Sequence, residues 1–198
     1  HGDIMMVGGF LGFFGIAVLG LPFGAAVLLA IVGSAALGML SDRIAYRPLR
    51  SAPKISLLIT AIGVSFFLEN AFNVFFGGVP RAFPVPAYLE VIVDFAGLTM
   101  PVSAVLVPII TAILLVMILW VLYKTKYGMA IRALAFDVGT VNLMGIDANR
   151  IITLVFGMGS ALAAVGGIFW AVNYPSVEPM MGVLVGLKAF AAAICPNR

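Results

Sequence analysis

Residues 124–150 read KTKYGMAIRALAFDVGTVNLMGIDANR, the longest polar, mixed-charge segment of a chain that is otherwise almost continuously apolar. Val102–Tyr123 precedes it and Ile151–Val172 follows it, and neither run carries a formal charge. A helix needs about 20 such residues to cross the hydrocarbon of a bilayer. The segment between the two runs therefore reads as a charged connection at one membrane surface.

Composition supports this. Of 198 residues, 63% are hydrophobic and 10% charged, where soluble domains are about one-quarter charged. So few charges cannot coat a water-facing surface, and the chain reads as an all-α integral membrane protein. The 22 glycines and 11 prolines suit close helix packing and broken helices. Cys195 is the single cysteine and His1 the single histidine, so neither an internal disulfide nor a His/Cys zinc set is expected. No GxxxxGK[ST] phosphate loop is present, and the scattered carboxylates offer no nucleophile–base pair. The chain reads as no enzyme, with no cofactor and no nucleic-acid partner.

Ile4–Ser41 also lacks charge and is too long for one span. Leu21-Pro22 divides it, because proline suits the first turn of a helix and not its interior. Spans are predicted near 4–20 and 23–41, against a competing reading of one kinked helix plus a re-entrant piece. Gly8 and Gly12 form a small-xxx-small pair. Asp3 has two readings: a cap on the first free N–H groups, or a polar helix start within the membrane beside a solute path.

Arg43, Arg47, Arg50 and Lys54 face only Asp42 in the first charged loop, which marks a cytoplasmic side. A third span is predicted near 55–75, interrupted by Glu69 and Asn70, with Asn73 one turn beyond Glu69. These lie either at the outer interface or along a translocation path, since a carboxylate in hydrocarbon must face protein or water. Residues 77–101 carry Arg81, Glu90 and Asp94 and read as an outer connector, against a competing reading as a lid over a pathway, with a short strand or interfacial segment in YLEVIVDF. The fourth span, 102–123, ends in Trp120 and Tyr123 as interface anchors. The fifth, 151–172, is rich in Gly, Ala and Ser and suited to tight packing. Met181–Ile194, interrupted by Lys188, reads as a re-entrant segment or the start of a further span. Both ends of the chain read as fragment boundaries.

Within 124–150, Tyr127–Ala133 has helical character. Asp137 can cap a second short helix, Val138–Met144, and Gly145 can end it in left-handed geometry. Val141, Leu143, Met144 and Ile146 would form its exposed apolar side. Such a helix either lies in the membrane interface or inserts into a groove on a soluble partner.

The residues carry a family resemblance. HGDIMMVGGFLGFF, the stretch from Tyr123 through Ala171, and VLVGLKAFAAAI together resemble the permease subunits of branched-chain amino acid ABC transporters. The similarity covers nearly the whole chain and centres on K-T-x-x-G-x-A-x-R-A followed by L-x-G-I-x-x-x-R. It implies a polytopic transmembrane helix bundle with a short cytoplasmic coupling helix, in the plasma (inner) membrane of a bacterium or archaeon. It implies a second permease subunit, two cytoplasmic ATPases, a periplasmic or extracellular substrate-binding protein and an amino acid substrate. Residues 124–150 would be the coupling loop, with Arg132, Ala133, Asp137, Leu143, Gly145, Ile146 and Arg150 at its motif positions. Asp3, Glu69, Asn70 and Asn73 would be candidates for the path. Gly139, Thr140 and Val141 depart from the family pattern, as does Cys195-Pro196-Asn197-Arg198. A secondary transporter or channel module without an ATPase is the alternative.

Overall fold

The computed structural model describes residues 2–50, 52–86, 89, 92–95, 98–136, 141, 145–183, 185–186 and 188. The chain divides into two compact units, His1–Pro84 with Phe156–Arg198, and Val85–Val155.

The first unit is built on a helical hairpin. α1 (Gly2–Ala17) and α2 (Phe23–Ser41) are separated where Gly20 takes a φ of +63°, a left-handed angle open to glycine at little cost. Pro22 then precedes α2 in extended geometry. The break falls where Leu21-Pro22 predicts it, but α1 stops at Ala17 and not near residue 20. At 16 residues it is shorter than a full span requires. One face of α2 is a buried row at four-residue spacing, Ala26, Ala30, Ser34 and Gly38, while Leu28, Val32, Ala36 and Leu40 are exposed. Small residues let backbones approach. A Cβ at Gly15 would lie 2.9 Å from Ala26 Cβ. One at Gly8 would overlap Ala164, and one at Gly38 would overlap Ser160.

α2 runs into a π-helical turn, Asp42–Tyr46, and a 3-10 turn, Arg47–Leu49. Arg50 binds both carboxylate oxygens of the fully buried Asp42, at 2.6 and 2.7 Å. α3 (Lys54–Phe76) packs on α1 through Phe10, whose ring centroid lies 5.5 Å from that of Phe72 and 5.0 Å from that of Phe76. Beyond it, β1 (Arg81–Ala82) pairs antiparallel with a two-residue strand, Ser176–Val177.

The second unit carries an antiparallel hairpin, β2 (Ile92–Phe95) and β3 (Leu98–Pro101), with Ile92 opposite Pro101. The strand expected in YLEVIVDF thus exists over its last four residues. α4 (Val102–Lys124) follows, and runs on through Pro108. α5 (Lys126–Phe136) follows with one residue between them. α6 (Ala148–Asn173) begins in this unit, and the Ser176–Val177 strand after it is β4. Among the described residues, four helical stretches are long and apolar enough to cross a membrane: Phe23–Leu49, Ile55–Phe76, Val102–Lys124 and Ala148–Asn173.

Candidate translocation and coupling sites

In the first unit, Asp3 lies in the first turn of α1, where a negative charge suits the free N–H groups. Its side chain also reaches a second helix. Ser65 Oγ donates to Asp3 Oδ2 at 2.5 Å, joining two helices 62 residues apart in sequence. Glu69, one turn further along α3, comes within hydrogen-bonding reach of Asp3. Ser65 sits eleven residues into the 23-residue α3, about 16 Å along its axis. The two carboxyls therefore gather near the middle of an apolar helix long enough to cross the bilayer.

A cavity of about 170 Å³ opens beside them. Asp3, Ser41, Tyr46 and Ser65 supply its polar lining, and Ile4, Leu68 and Phe156 its apolar wall. It is narrower than an ordinary ligand pocket of about 300 Å³ or more. Asn70 and Asn73 do not join this cluster: both are exposed, and Asn70 Nδ2 donates to the Phe66 carbonyl one turn back at 2.7 Å. Sequence alone offered no signal for Ser65, Ser41 or Tyr46, which differ in nothing from other polar residues near helix ends and middles.

In the second unit, the polar 124–150 segment begins with a corner between α4 and α5. Thr125 Oγ1 accepts the Gly128 N–H at 3.1 Å, capping the first turn of α5 as threonine does at an N-cap. The same hydroxyl donates back to the Val121 carbonyl. A Cβ at Gly128 would overlap the carbonyls of Val121 and Leu122, so only glycine fits the corner. Arg132 places its guanidinium 5.0 Å from the centroid of the Tyr123 ring, tying α5 to the end of α4. Ala133 follows on a half-buried face.

Gly145 has a φ of +78°, the left-handed geometry expected of it. Ile146 N–H donates to the Val141 carbonyl at 3.3 Å. Asp147 then caps α6: its Oδ1 accepts the Asn149 N–H at 3.0 Å, and its Oδ2 pairs with Arg150 Nε at 3.1 Å. One expectation needs correction. Val141, expected on an exposed apolar side, is 2% exposed, so it packs inward. Asp137, Leu143 and Met144, and most of the expected Val138–Met144 helix, lie outside the described residues.

Residues 1–195 match the family described as "Branched-chain amino acid transport system / permease component". The chain belongs to that family. It is 33% identical, over 98% of its length, to the high-affinity branched-chain amino acid transport system permease protein BraD of Pseudomonas aeruginosa, of which it covers 67%. It has the same identity and coverage against the permease protein LivH of Escherichia coli K12. The ribose import permease RbsC of Bacillus subtilis is 30% identical over 44% of this chain and 28% of its own length. No solved structure matches. The chain is thus a multi-pass membrane permease of an ABC transport system, a transport component and not an enzyme.

Proposed function

We propose that this chain forms part of one transmembrane half of an ATP-driven importer of branched-chain or related amino acids in a bacterial or archaeal plasma membrane. Its partners would be a second permease, two cytoplasmic ATPases and an extracytoplasmic binding protein. The observation that carries the reading is family membership over residues 1–195.

Two features support the mechanism. Asp3, Ser65 and Glu69 gather polar groups at mid-depth of α3, where unpaired charge is costly and polar residues serve solute paths. The ammonium group of an amino acid is a fitting visitor. The 170 Å³ cavity is narrow, so passage needs a wider state, reached when helices shift. Asn70 and Asn73, exposed on α3, would line the path on a face left to the second permease. The corner at Thr125–Gly128 fixes α5 rigidly to α4. A push on Arg132, Ala133, Asp137, Leu143, Gly145, Ile146 or Arg150 by a moving ATPase would reach the spans as a rigid-body displacement.

The test is uptake of labelled leucine, isoleucine and valine by the full-length protein reconstituted with its partner subunits in proteoliposomes. Import that requires ATP hydrolysis supports the proposal. Import that proceeds without nucleotide overturns it, and import of none of the three overturns the branched-chain assignment.

A further inference from the structure

The face of α2 opposite its buried row has no occupant among the described residues. Leu28, Val32 and Leu40 are 64%, 67% and 55% exposed, four or eight residues apart on one side, and Ile44, in the π-helical turn that continues the helix, is 67% exposed. The row ends where Arg43 and Arg47 emerge, also exposed and also four apart. Neither guanidinium makes a hydrogen bond or ion pair among the described residues. Arg50, in the same loop, is committed to Asp42. That pairing also removes the obvious repulsion, because the one carboxylate in the loop is 0% exposed and held by a guanidinium.

We infer that this edge binds an anionic phospholipid, its phosphate between Arg43 and Arg47 and one acyl chain along Ile44, Leu40 and Val32. The dimensions agree. Twelve residues separate Ile44 from Val32, about 18 Å of helix, close to one leaflet of a hydrocarbon core about 30 Å thick. The charge pattern agrees as well. A protein partner docking on an apolar stripe needs no paired cations at one end, whereas an anionic lipid is apolar along its length and negative at its head. Arginine suits phosphate through its planar, multiply donating guanidinium. The site would hold the π-helical turn at a fixed depth, with the Asp42–Arg50 pair as its inner brace.

The experiment is native mass spectrometry of the full-length protein released from nanodiscs containing equal phosphatidylglycerol and phosphatidylcholine. Wild-type protein should retain phosphatidylglycerol in preference, by about five-fold for each arginine engaged. The Arg43→Gln/Arg47→Gln variant should fall to near parity, and Arg43→Lys/Arg47→Lys should keep most of the preference. The lysine variant guards against misfolding, and the wild-type comparison stands on its own. No lipid preference in the wild type overturns the inference, as does equal preference in the glutamine variant. Loss of the ATPase subunits from the glutamine variant, with lipid retention unchanged, also overturns it by assigning the arginines to a protein contact.

Discussion

At Gly128 a single methyl group is too much. The obstacles are the carbonyls of Val121 and Leu122, backbone atoms that cannot swing aside as a side chain can. Gly128→Ala should therefore open the α4–α5 corner. In reconstituted transporter we expect ATP hydrolysis to persist while leucine imported per ATP falls at least several-fold; unchanged stoichiometry would remove the corner from the coupling route. Removing the Arg132 side chain should matter less, since an exposed cation–π contact is worth about 0.5–1 kcal/mol. Asp3 offers a charge test that spares geometry. Asp3→Asn still presents an oxygen to Ser65 Oγ but loses the negative charge, and uptake should fall about tenfold, the equivalent of about 1.4 kcal/mol. Undiminished uptake would place Asp3 off the path.

The helix seams carry a second kind of prediction. A Cβ on Gly38 would collide with the Ser160 side chain, while its next neighbour, the Phe156 carbonyl, lies 3.3 Å away. Gly38→Ala should destabilise the protein by about 1–3 kcal/mol, as overpacking does, and a second change, Ser160→Gly, should restore most of the loss in a thermal melt. Melting points that simply add, with no rescue, would refute the contact. Gly145 differs, because nothing lies within 4 Å of a Cβ there and only its φ of +78° is demanding. Gly145→Val should cost about 1–2 kcal/mol locally and uncouple ATP use from uptake while leaving membrane insertion intact, which normal uptake would contradict. At this scale much was readable beforehand. Pro22 marks the start of α2, and the Gly8/Gly12 pair does meet α6, at Ala164 and Ile168. Val141 was misread because a short apolar–polar alternation cannot say which side faces protein. α1 was placed too long because hydropathy does not register the left-handed turn at Gly20.

Over the whole molecule, the charge distribution carries the topology and the long-range contacts carry the site. Uncharged runs and arginine-rich turns are local properties, so the apolar helices and their polar connections could be read directly. The meeting of Asp3 with Ser65 could not, because it joins residues 62 apart through packing of Phe10 against Phe72 and Phe76. Glu69 stood out as a carboxylate in an apolar helix and Asp3 as one at a helix start, so each was legible as a candidate; that they meet was not. Exposure of Asn70 was equally invisible, since helical spacing gives a face but not what covers it. The most direct test of a polar path at the centre of α3 is thiol accessibility of Ser65→Cys, in full-length reconstituted protein whose Cys195 is replaced by serine. A membrane-impermeant thiol reagent should modify residue 65 at a rate that ATP changes and leucine slows. A thiol that stays unreactive in every nucleotide and substrate condition would contradict a path through Asp3, Ser65 and Glu69.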